Sequence, residues 1–148
     1  LGVHIRAHDP DHDWAVIPAD GGTPLPFDVG APFTEFLRAM DGVFRRHPTA
    51  KAFLATNSAG VRAQVVEAFG AHRVMWFEPG EALLERGRAH MGAAAGGHLN
   101  RSSGVGAALA LVDWLLLSKT SLILGTYYSS FSEEAAMVHM VPRVMVRV

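Results

Sequence analysis

The sequence predicts an α/β fold, a Rossmann-like parallel sheet with helices on both faces. Three observations carry that expectation. Short runs rich in Val, Leu and Ile recur without polar alternation, segments of helical periodicity separate them, and glycine, proline or small hydroxyl residues follow most runs. With 148 residues the chain is about one domain long, so residues 1–148 are read as a single domain able to bury a full core.

Residues 1–5 (LGVHI) are apolar and run into a Pro/Asp-rich stretch, the pattern of a buried strand feeding a loop. Residues 7–31 contain Pro10, Pro18, Pro24, Pro26, Gly21, Gly22 and Gly30. Loops of that length are uncommon in compact domains unless they function, so this is a candidate lid or binding loop. Phe33, Phe36, Leu37, Met40, Val43 and Phe44 recur at helical spacing. Pro32 suits the first turn, and Arg45, Arg46 and His47 suit the last, which predicts an amphipathic helix.

Residues 51–56 (KAFLAT) read as a second strand. Asn57 or Ser58 can cap the helix that follows, which carries Val61, Val65, Val66 and Phe69 and stops at Gly70. A third strand is expected at 73–77 (RVMWF), a short helix at 81–88, and a second connecting loop at 91–104 (MGAAAGGHLNRSSG). A strongly apolar helix at 105–118, a fourth strand at 121–125 (SLILG), a helix at 131–137 and a fifth strand at 144–148 complete the series.

Composition narrows the function. Apolar residues make up 49%, charged residues 18%, and the formal net charge is −1. That leaves no basic footprint for nucleic acid and no polybasic membrane patch, and favours a small-molecule or protein partner. The longest apolar run, 107–117, is broken by Asp113 and falls short of the roughly 20 residues that span a bilayer. The absence of cysteine excludes disulfides and thiolate metal sites and leaves the redox compartment open. The chain starts with Leu inside one strand-like segment and stops inside another, so it is read as a fragment of a larger protein.

In parallel α/β sheets ligands collect at the carboxyl ends of the strands. One such place is GTYYSSFSEEAA, residues 125–136. A helix opening there offers free N–H groups to a phosphate or other anion, with Thr126, Ser129 and Ser130 as added hydroxyls. The same residues read first as a capping box of Ser130 with Glu133, and the two readings are compatible.

His4 and Arg6 alternate along the first strand and share a face at its carboxyl end. Arg6 can clamp a phosphate through paired charge-assisted bonds, or it can pair at the surface with Asp9, Asp11 or Asp13. The HDPDHD stretch also invites a metal reading. Its spacing matches no defensible ligand motif, Pro10 spreads the ligands, and no metal is expected. Asp113 sits in an apolar helix where an unpaired carboxylate is costly. It should face solvent or pair with a donor such as Arg101 or Lys119.

Together these residues resemble the C-terminal nucleotide-sugar-binding domain of fucosyltransferases with the two-Rossmann-domain (GT-B) fold, the superfamily of α1,6-fucosyltransferases and protein O-fucosyltransferases. Three motifs in the family's order span nearly the whole chain. The first is a strand ending in HxR (Val3-His4-Ile5-Arg6), followed by Asp13-Trp14, which looks like the Asp-Trp of protein O-fucosyltransferases. The second is Leu54-Ala55-Thr56-Asn57-Ser58. The third joins Asp113-x-x-x-Leu117-Ser118, a strand, and the turn Ser129-Ser130-Phe131.

The resemblance implies one half of a GT-B fold that binds GDP-fucose and takes part in inverting, metal-independent transfer to a sugar or protein hydroxyl. Arg6 is then the catalytic residue, holding the β-phosphate and the charge that builds on the leaving diphosphate. His4, Asn57, Ser58, Thr126, Ser129, Ser130 and Phe131 are implied donor-site residues, with Asp113 and Arg101 in support. Asp9, Asp11, Asp13 and Trp14 fall on the acceptor side.

One position departs from the pattern. Family members often carry Asp where Asn57 stands, and a carboxamide is the poorer acceptor for the two donors of guanine. The implied partners are a GDP-sugar donor, a glycan or protein acceptor and an N-terminal acceptor-binding domain, with no cofactor or nucleic acid. The implied setting is the secretory pathway, Golgi or ER lumen. Two other classes stand beside this reading: a nucleotide- or phosphate-binding module without catalysis, including a degenerate transferase, and a metal-dependent hydrolase using the His/Asp loop.

Overall fold

A computed structural model describes residues 1–6, 33–80, 82, 104–126 and 129–146. The expected loop at 7–31, the segment 91–103, and the helix at 81–88 apart from residue 82 lie outside the described residues. So do Asp9, Asp11, Asp13, Trp14 and Arg101.

The elements run β1 (Gly2–Ile5), α1 (Phe33–Arg46), β2 (Ala52–Thr56), α2 (Ala59–Phe69), β3 (Val74–Met75), α3 (Gly104–Ser118), β4 (Ile123–Thr126), α4 (Ser130–Val138) and β5 (Arg143–Val146). The strands form one sheet of order β3-β2-β1-β4-β5, and every pairing is parallel. This is the α/β, Rossmann-like architecture that the alternation of runs predicts.

Each strand sends alternate residues to opposite faces. On one face Val3, Ile5, Leu54, Leu124 and Val146 pack with Phe36, Met40 and Phe44 of α1 and Val65 of α2. On the other, Ala55 and Ile123 pack with Leu117 of α3 and with Ala135 and Ala136 of α4. The side chains of Phe36, Met40, Leu54, Leu117 and Ile123 are among the largest that are fully buried. Burial of this kind stabilises by roughly 1.5–3 kcal/mol per large side chain. Helix α1 follows its apolar stripe, with Glu35 in the first turn and Arg45 and Arg46 in the last, where each charge opposes the helix dipole.

Ser58 caps α2: its hydroxyl oxygen accepts from the Val61 N–H at 3.2 Å. Gly70 ends the helix at φ 83°, a conformation that costs a side-chain-bearing residue energy.

Two local expectations change. The third strand is expected over 73–77 but pairs only at Val74 and Met75. Trp76 leaves the ladder, with its indole N–H donating to the Glu78 carboxylate and its ring lying 5.5 Å from the Arg62 guanidinium carbon. The capping box at the start of α4 does not form. The helix begins at Ser130, Ser129 is its N-cap without a side-chain cap bond, and Glu133 instead lies 3.5 Å from the Arg143 guanidinium on β5.

At Gly125 the sheet and α4 come unusually close. A Cβ there would stand 2.9 Å from the Ser132 Cβ and closer still to its hydroxyl, so only glycine lets the first turn of α4 lie against the end of β4.

Candidate functional site

The strand order reverses between β1 and β4, which is where a crevice opens in sheets of this class. The ladders end unevenly at this point. β1 pairs with β2 through Ile5↔Thr56, and β4 with β5 through Thr126↔Val146, while β1 and β4 stop pairing at His4↔Gly125.

Beyond that last pair a side chain takes over. The buried Thr126 hydroxyl donates to the His4 carbonyl and accepts from the Arg6 backbone N–H, both at 2.9 Å. Thr126 is expected as a hydroxyl donor at the turn, but its single proton is directed to the β1 backbone. Its own carbonyl accepts from the Ser129 N–H at 3.2 Å, which sets the turn into α4. Arg6 stands at the mouth of the crevice with an exposed side chain.

A cavity of about 120 Å³ adjoins the crevice. Its walls include His4 from β1, Thr56 and Asn57 from the end of β2, Gly106, Leu109 and Asp113 from α3, and Phe131 from α4. Gly106, Leu109 and Asp113 are spaced three and four residues apart, which puts them on one face of the helix. Four residues singled out from sequence, His4, Asn57, Asp113 and Phe131, therefore meet in one hollow. The His4 side chain is buried, and its ring centroid lies 4.9 Å from that of Phe131 at a tilt of 33°.

Asp113 is expected at a solvent edge or paired with Arg101 or Lys119. It is half-buried on the cavity wall rather than at a solvent edge, and Arg101 lies outside the described residues. Burial pushes its pKa up to about 6, and the positive charge of Arg62 partly opposes the rise. Lys119 is engaged elsewhere, with its Nζ 2.8 Å from His139 Nε2.

The turn at 129–131 divides in role. Ser129 is buried at 5% exposure, and its Oγ has no hydrogen-bond partner among the described residues. Ser130 is exposed, and Phe131 is half-buried beside His4. The first backbone N–H groups of α4 have no partner within the helix and can receive an anion. Ser58, the other candidate near Asn57, uses its oxygen as the α2 cap and does not line the cavity.

Sequence reasoning missed Arg62 as the charge acting on Asp113, since 51 positions separate them and no motif links them. Gly106 and Leu109 were missed as well, although their positions seven and four before Asp113 on one helical face were a signal that could have found them. Among the described residues no group of three or more His, Asp or Glu is placed to hold a metal ion. The HDPDHD stretch lies outside them. No described helix is long and apolar enough to cross a membrane.

No family model matches the chain, and no curated protein matches it. Solved structures do. The NodZ alpha-1,6-fucosyltransferase co-crystallised with GDP is similar at TM-score 0.52 and 22% identity, over 97% of this chain and 36% of that one. The same enzyme soaked with GDP-fucose gives 0.51 and 22%, over 97% and 37%. A further NodZ structure, from Bradyrhizobium, gives 0.50 and 22%, over 97% and 36%. POFUT1 in its apo form gives 0.52 at 11% identity, over 99% of this chain and 41% of that one. The chain thus shares the fold of a region of these fucosyltransferases, as the resemblance implies, and spans about two fifths of their length.

Proposed function

We propose that this chain is the donor-binding half of a glycosyltransferase that takes fucose from GDP-fucose and delivers it to a sugar or protein hydroxyl. The observation that carries the reading is the placement of the Asp113 cavity beside the N-terminus of α4, which has no side-chain cap from Ser129, at the reversal point of a sheet of the kind found in fucosyltransferases. The cavity suits the base, and the helix start suits the diphosphate.

Asp113 and Asn57 divide base recognition. Guanine presents N1–H and N2–H₂ along one edge, and an ionised carboxylate accepts both. Asp113 offers that carboxylate from the same wall system as Asn57, so the substitution at position 57 need not forfeit guanine. Adenine presents an acceptor at N1, which a carboxylate repels. His4 and Phe131 close the cavity between the base and the phosphates.

In the transfer step the bond from fucose C1 to the β-phosphate oxygen breaks with its electron pair going to GDP, the acceptor oxygen bonds C1 from the opposite side, and the acceptor proton passes to water or to a phosphate oxygen of the departing GDP. Negative charge grows on the leaving GDP. Arg6 and the N–H groups of α4 supply fixed positive charge where it grows, which lowers the barrier more than equal binding of substrate would. The reading needs no metal ion. It brings with it an acceptor-binding domain and a secretory-pathway setting, although the Bradyrhizobium structure shows that the fold is not tied to that compartment.

Calorimetric titration tests it. The intact protein should bind GDP and discriminate against ADP, Arg6→Ala should weaken GDP about tenfold or more as a lost charged hydrogen bond does, and Asp113→Asn should erode the preference for GDP. Absent GDP binding, or binding indifferent to Arg6, overturns the reading. A protein that binds GDP yet neither transfers fucose nor hydrolyses GDP-fucose is the non-catalytic module.

A further inference from the structure

We infer that Thr126 is a positioning residue, a side-chain latch that holds the Arg6 end of β1 in register with the start of α4 so that both meet one diphosphate. The inference rests on the donor-site reading above. In a parallel ladder, the carbonyl of one residue and the N–H of the residue two further on face a single residue of the neighbouring strand, which donates to the first and accepts from the second. The His4 carbonyl and the Arg6 N–H are such a pair on the β4 side of β1. Pairing ends at His4↔Gly125, a register that puts the Thr126 N–H on the His4 carbonyl, while the Thr126 carbonyl has turned to the Ser129 N–H. The Thr126 hydroxyl takes the place of that carbonyl, accepting from the Arg6 N–H and also donating to the His4 carbonyl, at 2.9 Å each.

Two consequences follow from one side chain doing a peptide's work. The Thr126 carbonyl can turn toward α4 while the Arg6 N–H keeps an acceptor. The Arg6 backbone is also tied to the residue whose carbonyl receives the Ser129 N–H. Arg6 and the α4 N-terminus therefore share a single anchor. A valine at 126 keeps the shape but removes both bonds, whereas a serine keeps them.

GDP and GMP titrations on the intact protein separate this role from a merely structural one, because only GDP carries the β-phosphate. Thr126→Val should weaken GDP about tenfold, the scale of a buried group left unpaired, with little change in GMP. Thr126→Ser should bind GDP nearly as wild type does. In a double-mutant cycle, Arg6→Met with Thr126→Val should bind GDP no more weakly than Arg6→Met alone. Amide hydrogen exchange at Arg6 should be slow in wild type and Thr126→Ser and fast in Thr126→Val. If Thr126→Val is too unstable to handle, Thr126→Cys, with its weak donor and acceptor, is read the same way.

Undiminished GDP affinity in the valine variant, or penalties that add in the double variant, overturn the positioning role alone. Failure of the wild-type protein to bind GDP overturns the donor-site reading and this role with it.

Discussion

The rings of His4 and Phe131, 127 positions apart in the chain, lie 4.9 Å from centroid to centroid and join the end of β1 to the first turn of α4. Both line the cavity, and Phe131, the second residue of α4, makes a wall of the cavity out of the helix's first turn. Phe131→Ala removes that wall. It should destabilise the protein by about 2 kcal/mol, as loss of a partly buried aromatic contact does, and weaken GDP, while Phe131→Leu should recover most of the stability. Urea denaturation and calorimetry measure the two effects.

Asp113 makes stability depend on pH in an unusual direction. Its folded pKa, about 6, lies above the model-peptide value of 3.8, so between these values the folded state binds more protons than the unfolded state. Stability contributed at this site is full below about pH 4 and falls as pH rises through about 6. Asp113→Asn should flatten that part of the profile and be the more stable protein at pH 7. GDP binding should run the opposite way, weakening in wild type as pH drops through about 6, because a protonated carboxyl is the poorer acceptor for guanine. Denaturation and GDP titration at pH 5 and pH 7 check both signs.

Gly125→Ala places a methyl group 2.9 Å from Ser132 Cβ. Overpacking of this kind costs roughly 1–3 kcal/mol, and here it should push α4 off β4. Ser132→Gly removes the clashing atoms, so the double variant should regain part of the lost melting temperature. A double variant no better than Gly125→Ala would place the strain elsewhere.

Removal of the Ser58 hydroxyl tests a residue that lies near the cavity without lining it. Ser58→Ala should lower stability by about 1 kcal/mol, as loss of an N-cap does, with GDP affinity unchanged. A large loss of affinity would make Ser58 a ligand rather than a cap.

Positive charge for the leaving diphosphate comes from Arg6 and backbone N–H groups in the proposed mechanism. Fucosyl transfer by the intact protein should therefore persist in excess chelator. Activity abolished by chelator and restored by one divalent cation would favour the hydrolase-like reading of the His/Asp loop.

The parallel sheet was legible because buried strands carry apolar residues on both faces, as in Leu54-Ala55 and Ile123-Leu124, whose neighbours go to opposite cores. The candidate site was legible as a location, since the rule that ligands gather at strand carboxyl ends points to His4, Asn57 and the 129–131 turn, of which His4, Asn57 and Phe131 line one cavity. What could not be read is tertiary. Glu133 matches a capping box in local spacing, but Arg143 across the turn competes for it. Trp76 looks like a strand residue, but Arg62 and Glu78 draw it out of the ladder. Thr126 looks like one hydroxyl among several until the end of the β1–β4 ladder gives it a rung to fill.

Strand order also governs when the site can exist. β1 is the first strand in the chain and the central one in the sheet, yet the neighbour that completes its second edge begins at Ile123. During synthesis β1 presents an unpaired edge until that late segment emerges, at roughly 5–20 residues per second, and an open edge is a template for mispairing. The bond between Thr126 and Arg6 closes a loop of 120 positions, a contact of the slow, non-local kind. The proposed donor site is thus among the last parts of this fold to form, and variants that loosen this seam should lower the yield of folded protein as well as GDP affinity.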